Sequence, residues 1–431
     1  MAVADRALPE GEGGGTRAFV LHPEIRTDPD RRDPVPALAE AVALAAALPG
    51  LKVCGSDIVR LSRVHPGMLF GSGKIAELKT RFESDDIALV LIDGHLSPIQ
   101  QRNLERAWGV KILDRTGLIL EIFGDRARTA EGVLQVEMAA LSYQRSRLVR
   151  AWTHLERQRG GFGFVGGPGE TQQEADRRAI DDQLVRLRAR LAKVARTRAL
   201  HRAARAKVPY PVVALVGYTN AGKSTLFNRM TGATVLAKDM LFATLDPTMR
   251  RVSLPSGQEV ILSDTVGFIS DLPTELVAAF RATLEEVRDA DLIVHVRDIS
   301  HPLSTEQAAD VEAILQSLGV AEAAPRIEVW NKIDLVSAPA REALQAQAAR
   351  SDGVHLVSAA TGEGIGGLLE AMDARLRDPV TEEEIALPFS SGRARAWLHA
   401  EGVVTGETET ETGHLLRVAW TARQKSRFAR L

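Results

Sequence analysis

The stretch VALVGYTNAGKSTLFN, from Val213 to Asn228, limits the folds open to this chain more than any other. Within it, GYTNAGKS satisfies G-x-x-x-x-G-K-[ST] residue for residue, with the apolar run PVVALV before it and the helical run TLFNRM after it. That context is a strand, a tight loop and a helix start, so an α/β fold is expected, a P-loop GTPase domain built on a single parallel sheet with right-handed crossovers. The glycines let backbone N–H groups turn toward phosphate oxygens, and the following helix adds the positive end of its dipole. Gly217, Tyr218, Thr219, Asn220, Ala221, Gly222, Lys223, Ser224 and Thr225 are therefore expected around a nucleotide's phosphates. Lys223 would bridge the β and γ phosphates and Ser224 would ligate Mg2+.

The base follows from EVWNKIDLV. A carboxylate at Asp334 can accept from both the ring N–H and the exocyclic amine of guanine, a donor pair that adenine lacks. Asn331 braces that loop and touches the base, Lys332 and Ile333 complete it, and Ser358, Ala359 and Ala360 of VSAATGEG offer backbone donors to the guanine oxygen. GTP is the expected nucleotide. In ILSDTVGF, Asp264 ends an apolar strand where it can support the Mg2+ shell; Thr265 and Val266 follow, and the Gly267 N–H meets the γ phosphate. Upstream, DMLFATLDPTMR reads as a first switch in which Thr244 closes on Mg2+ and the γ phosphate, with Thr248 as the alternative. Many signalling GTPases place a water-orienting Gln directly after D-x-x-G; here Phe268 has neither donor nor acceptor. The catalytic group is therefore unknown from the sequence, and two sources are carried forward: a group supplied by a partner, or a K+ ion held partly by Asn220.

At 431 residues the chain is long enough for several cores. Residues 1–17 are acidic and Gly-rich and read as a disordered tail; 18–127 alternate strand-like and helical runs, an N-terminal α/β domain. Residues 128–208 read as an antiparallel helical hairpin. Ile180, Leu184, Leu187, Leu191 and Val194 recur at four- and three-residue steps, and Leu134, Met138, Leu141 and Leu148 share a face of the earlier helix. Between them Arg159 to Thr171 carries six glycines and a proline, a tip that no helix crosses. A G domain is expected over 211–378, and a small α+β appendage over 380–431 in which EIALPFSSGRARAWLHAEG and HLLRVAWTARQKSRFARL read as short strands around an acidic turn, TGETETETG. The lone Cys54 excludes an internal disulfide and reads as a core thiol. The apolar stretch near the start is too short to span a bilayer and no signal peptide is evident, so the cytoplasm is the expected location and a membrane role is not. A monomer is expected.

Net charge is −2 over the whole chain, which speaks against a global affinity for DNA, yet residues 141–210 hold 16 Lys and Arg against 6 Asp and Glu. Such asymmetry points to a polyanion. With Phe162 and Phe164 in the Gly-rich tip able to stack on unpaired bases and Arg159 beside them, RNA is the expected partner. The alternative is a GTP-regulated scaffold that binds an acidic protein or membrane surface through the same helices.

In order along the chain stand GSGKIAEL, DGHLSPIQQRNLE, ILDRTGLILEIF, GGPGETQ, GYTNAGKSTLFN and FATLDPT, and with them the sequence over residues 18–431 closely resembles the HflX-type translation GTPases. The resemblance implies a GTPase, slow alone and stimulated by ribosomes, that binds the large ribosomal subunit and dissociates or rescues stalled ribosomes. It implies a first switch of Phe242, Ala243, Thr244, Leu245 and Asp246 with Thr244 on Mg2+, and a Gly-rich tip that probes ribosomal RNA. It also implies ATP binding by the N-terminal domain. The P-loop-like GMLFGSGKI there fails the spacing, since Met68 stands five positions before Gly73 and Ile75 replaces Ser or Thr, and it reads as a helix start capped at Ser72.

Overall fold

A computed structural model describes the chain except for residues 1–14, 28–31, 159–167, 206–209, 234–240, 243, 246–247, 271–286, 321–323, 378–379, 422–423, 426–427 and 430–431; side-chain surroundings are described outside 148–173, 195, 197–209 and 380 as well. Arg159, Phe162, Phe164, Ala243 and Asp246 lie outside the described residues. The chain forms two units, residues 1–371 and 372–431.

The first unit opens with four parallel strands, β1 (Thr16–Ile25), β2 (Leu51–Leu61), β3 (Leu89–Ile92) and β4 (Lys111–Asp114), in the order β2-β1-β3-β4. β1 begins at Thr16, inside the stretch read as a tail, because Thr16 N–H is taken by Gly50 O at 2.7 Å and its side chain is buried. Period-two alternation sends Ala18 and Val20 to one face of the sheet and Phe19 and Leu21 to the other. The first face is covered by α1 (Pro34–Ala47) and α4 (Arg115–Arg126), the second by α2 (Ser72–Ser84) and α3 (Pro98–Trp108). Cys54 is half-buried at the rim of the second face instead of inside the core, because β2 is an edge strand. α2 is capped by the backbone of Gly71, so Ser72 is its first residue and not its cap.

α5 (Ala130–Gln158) and α6 (Pro168–Arg205) make the hairpin, closed near its base by Leu134, Leu141, Leu184 and Leu187 with Met138, Ile180, Leu191 and Val194 packed around them. α6 begins at Pro168, inside the stretch that no helix was expected to cross. Proline's fixed φ suits a first helical turn, where its missing N–H goes unused.

Six strands build the second sheet: β5 (Val212–Gly217), β6 (Thr248–Ser253), β7 (Glu259–Asp264), β8 (Leu292–Asp298), β9 (Arg326–Asn331) and β10 (Val354–Leu356), ordered β10-β9-β8-β5-β7-β6. All pairs are parallel except β6 with β7. Its described helices are α7 (Lys223–Thr231), α8 (Ser304–Ser317), α9 (Ala338–Ala348) and α10 (Ile365–Leu376). One buried cluster runs from Val20, Leu44 and Ile122 through Val136 and Ala139 of the hairpin to Val216, Phe242 and Phe268. The regions read as three separate domains therefore share a core.

The second unit has three antiparallel strands, β11 (Val380–Pro388), β12 (Val404–Thr410) and β13 (Gly413–Thr421), in the order β11-β13-β12, with α11 (Gly392–Ala400). TGETET, expected as a turn, is most of β12. Its alternating threonines are β-branched and the paired partner strand satisfies its backbone. RARAWLHA, expected as strand, is helix α11, with Leu398 fully buried against Val403, Leu416 and Trp420.

Candidate functional site

The ends of β5, β7 and β9 converge. Gly217 closes β5 so tightly against β8 that a Cβ there would run into the Val296 carbonyl oxygen. Gly222 has a left-handed φ of 95° and its Cα faces the Asn331 amide; any side chain would collide with it. Between them the loop wraps around Lys223, which is 6% exposed and whose ammonium donates to the carbonyls of Gly217 (3.1 Å) and Tyr218 (2.8 Å). Burial pulls its pKa down to about 8, against the attraction of Asp264. A cation buried among neutral carbonyls lacks an anion, and phosphate oxygens supply one. Ala221 is buried, Asn220 takes a left-handed turn at φ 58°, and Thr225 lies in the first turn of α7.

Beside the ammonium, three oxygen-bearing side chains meet. Ser224 Oγ donates to Asp264 Oδ2 at 2.7 Å, Thr244 Oγ1 donates to the same oxygen at 3.0 Å, and the two hydroxyls stand 2.8 Å apart. Among the described residues, Asp264 Oδ1 is buried without a hydrogen-bond partner. Burial raises the Asp264 pKa, against the lowering influence of Ser224, Lys223 and Thr244. Buried hard oxygens with one carboxylate oxygen orphaned fit a small divalent cation. Thr248, the alternative to Thr244, instead opens β6 and pairs with Asp264 through the strand ladder. Thr265 Oγ1 donates to Leu215 O at 2.6 Å, and Val266 is buried.

The segment after Asp264 is fastened to the phosphate loop by backbone. Phe268 N–H donates to Gly217 O (3.1 Å) and Phe268 O accepts from Thr219 N–H (2.7 Å), a single parallel bridge that sets Gly267 against Thr219 and the Lys223 ammonium. The Phe268 ring is fully buried, so the residue in the water-orienting position of other GTPases is here a core anchor.

On the base side, Asn331 works in two directions. Its amide N–H donates to Ala221 O at 2.8 Å and its oxygen accepts from Ala359 N–H at 3.0 Å, so one side chain joins the N-K-x-D loop to the phosphate loop and to the S-A-A loop. Lys332 is left-handed at φ 64° and pairs with Asp298 at 2.8 Å; Ile333 is buried, which leaves Asp334 exposed on the short 3-10 turn that follows. Ser358 is buried and its hydroxyl caps Thr361 N–H at 3.1 Å, while Ala360 is exposed. Sequence reasoning missed Arg229 of α7, whose guanidinium holds the carbonyls of Ala359 (3.2 Å) and Ala360. The motif spacing carries no signal for it. Also missed were Tyr218 and Leu245 as packing residues: both are buried, and Phe242 stacks edge-on against Phe123 of α4 at 4.6 Å.

Family models match in succession along the chain: the GTP-binding GTPase N-terminal region over residues 36–124, the GTP-binding GTPase middle region over 126–205, the 50S ribosome-binding GTPase over 212–332 and the HflX C-terminal domain over 343–430. The GTPase HflX of Magnetococcus marinus is 50% identical, over 91% of this chain and 88% of its own. The chain belongs to the HflX family of GTPases. The Escherichia coli K12 HflX is 42% identical over 93% of this chain and 92% of its own. Among solved structures, a GTP-binding protein from Sulfolobus solfataricus in complex with GDP is 22% identical and covers 84% of this chain and 98% of its own, with a TM-score of 0.45. As a member of the HflX family the chain binds GTP and hydrolyses it to GDP and phosphate. Among the described residues no helix is long and apolar enough to cross a membrane.

Proposed function

We propose that this chain is a cytoplasmic, monomeric GTP switch that binds the large ribosomal subunit and promotes dissociation or rescue of stalled ribosomes. The observation that carries the reading is the union, in one core, of the GTP loops with the base of a basic hairpin. At 1.5 Å per residue α5 and α6 are about 44 and about 57 Å long, enough to carry their far end deep into a ribosomal cavity. Arg159, Phe162 and Phe164 in the tip contact ribosomal RNA, by phosphate pairing and base stacking. Ser224 and Thr244 hold Mg2+, with Asp264 behind them; the ion neutralises charge on the β and γ phosphates. Asp334 reads guanine. Since Phe268 is locked in the core, the attacking water is oriented by a group supplied on the ribosome, or by K+ held partly by Asn220.

The test is GTP turnover at matched salt, alone and with purified large subunits. A rise of about ten-fold or more, lost when residues 160–169 are deleted, is expected from the scale of partner-supplied catalytic groups. Unchanged turnover with subunits present overturns the partner assignment and leaves the GTPase standing. Equal rates in Na+ and K+ remove the K+ reading.

A further inference from the structure

The ILDRTG segment belongs to none of the GTP loops, yet two of its residues face in functionally different directions. Asp114, fully buried, caps α4 by accepting from Gly117 N–H at 2.8 Å. The same carboxylate accepts from the Tyr143 hydroxyl at 2.6 Å and pairs with Arg147 at 3.0 Å, both on α5, and Arg147 also reaches Gln101 of α3. Asp114 thus fixes the hairpin to the first sheet.

Arg115, the next residue, turns to the GTP site. Its Nη1 pairs with Asp93 at 2.6 Å, and its Nη2 reaches Glu40 of α1 and donates to Ser270 Oγ (2.8 Å) and Ser270 O (3.2 Å). Ser270 is three residues beyond Gly267. The second oxygen of Glu40 accepts from the hydroxyl of Tyr218 in the phosphate loop at 2.6 Å, and that hydroxyl accepts from Ser270 N–H at 2.9 Å. Arg115, Glu40, Tyr218 and Ser270 form a closed ring that clamps both ends of the Phe268 bridge. Two turns along α4, Phe123 packs on Phe242 of the first switch. One helix therefore touches the hairpin and both switch segments, and reaches the phosphate loop through Glu40.

We propose that α4, through the consecutive residues Asp114 and Arg115, couples the base of the hairpin to the GTP site, with Arg115 a positioning residue for GTP turnover. Arg115 holds the segment after Asp264 at the register that presents the Gly267 N–H. A displacement of the hairpin base moves Asp114 and with it the Arg115 clamp. Sub-ångström placement errors at such a site change rates by an order of magnitude or more. The inference does not depend on what the hairpin binds, and no ribosome enters its test.

The experiment is a double-mutant cycle on steady-state GTP turnover of the full chain, with Tyr143→Phe removing the hydroxyl on the hairpin side and Ser270→Ala the one on the switch side. Each deletes one oxygen and leaves the packing. Expected is a fall in kcat of about five-fold for Ser270→Ala and about three-fold for Tyr143→Phe, KM for GTP moving less than about two-fold, and a double variant at least about three-fold off the product of the two, the size of coupling seen within one network. A Tyr143→Phe enzyme with wild-type kcat, or a double variant equal to the product, overturns the proposal. Should Tyr143→Phe lower the thermal midpoint enough to obscure kcat, Arg147→Lys takes its place under the same criteria.

Discussion

The dipeptide Gly-Lys stands at a helix start twice, in GSGKI at Gly71–Ile75 within the first turn of α2 and in NAGKS at Asn220–Ser224 where α7 begins, and the two lysines have opposite surroundings. Lys74 is partly exposed and already neutralised, with Asp57 at 3.0 Å and Glu77 at 2.7 Å; burial works against its charge, but the Glu77 and Asp57 carboxylates outweigh it and raise its pKa. Lys223 is buried; among the described residues its ammonium donates to the carbonyls of Gly217 and Tyr218 and to no carboxylate, Asp264 attracts it without a hydrogen bond, and burial wins, so its pKa falls to about 8. The glycines differ in the same way. Gly222 is left-handed and pressed against Asn331, whereas a Cβ on Gly73 meets nothing within 4 Å. A phosphate site thus needs more than glycine and lysine at a helix start: the lysine must be left without a hydrogen-bonded anion, and the loop must have no room for side chains.

Removing each lysine gives the largest contrast. Lys223→Ala is expected to weaken GTP binding by about two to three orders of magnitude, the scale of deleting one member of a buried charge pair. Lys74→Ala is expected to change it by less than about two-fold, since a partly exposed ion pair contributes about 1 kcal/mol or less. Titration with a fluorescent GTP analogue measures both, and a loss of affinity in Lys74→Ala breaks the comparison. The glycines come next. Gly222→Ala forces a side chain into a left-handed turn and onto the Asn331 amide, and a loss of about 2 kcal/mol or more is expected. Gly73→Ala lies in an open helix and should stabilise by up to about 1 kcal/mol. Denaturant midpoints give the signs directly.

A further effect, read against pH, concerns the same buried surroundings at another site. His295 on β8 lies below the phosphate loop, and burial pulls its pKa to about 4. The folded state therefore keeps it neutral while the unfolded chain protonates it near its ordinary value. The sign follows: stability is fully present above about pH 6.5 and falls as pH drops toward 4, by at most about 1.4 kcal/mol per unit. His295→Leu should flatten thermal midpoints over that window, and an unchanged acid slope would count against a buried neutral imidazole.

Much of this was legible beforehand, for identifiable reasons. The GTP loops are short backbone devices whose spacing is fixed by phosphate geometry, so GYTNAGKS, DTVG, NKID and SAA read directly onto the ends of β5, β7, β9 and β10. The hairpin seam was legible because a four-three repeat of Ile180, Leu184, Leu187 and Leu191 admits one partner face. The second unit was not. TGETET carries both turn composition and strand alternation, and only pairing with β13 decides between them. Cys54 misled because an apolar run does not announce that its strand lies at an edge.

The sequence by itself determined the nucleotide site, the parallel sheet around it and the helical hairpin, since each follows from residues a few positions apart. Tertiary structure alone decided how they are joined. Glu40 and Tyr218 are 178 residues apart and Arg115 and Ser270 155 apart, and no local spacing rule links such pairs. They meet because α1 and α4 pack one face of the first sheet onto the core of the second, where a buried guanidinium is tolerated only when carboxylates and hydroxyls pair with it.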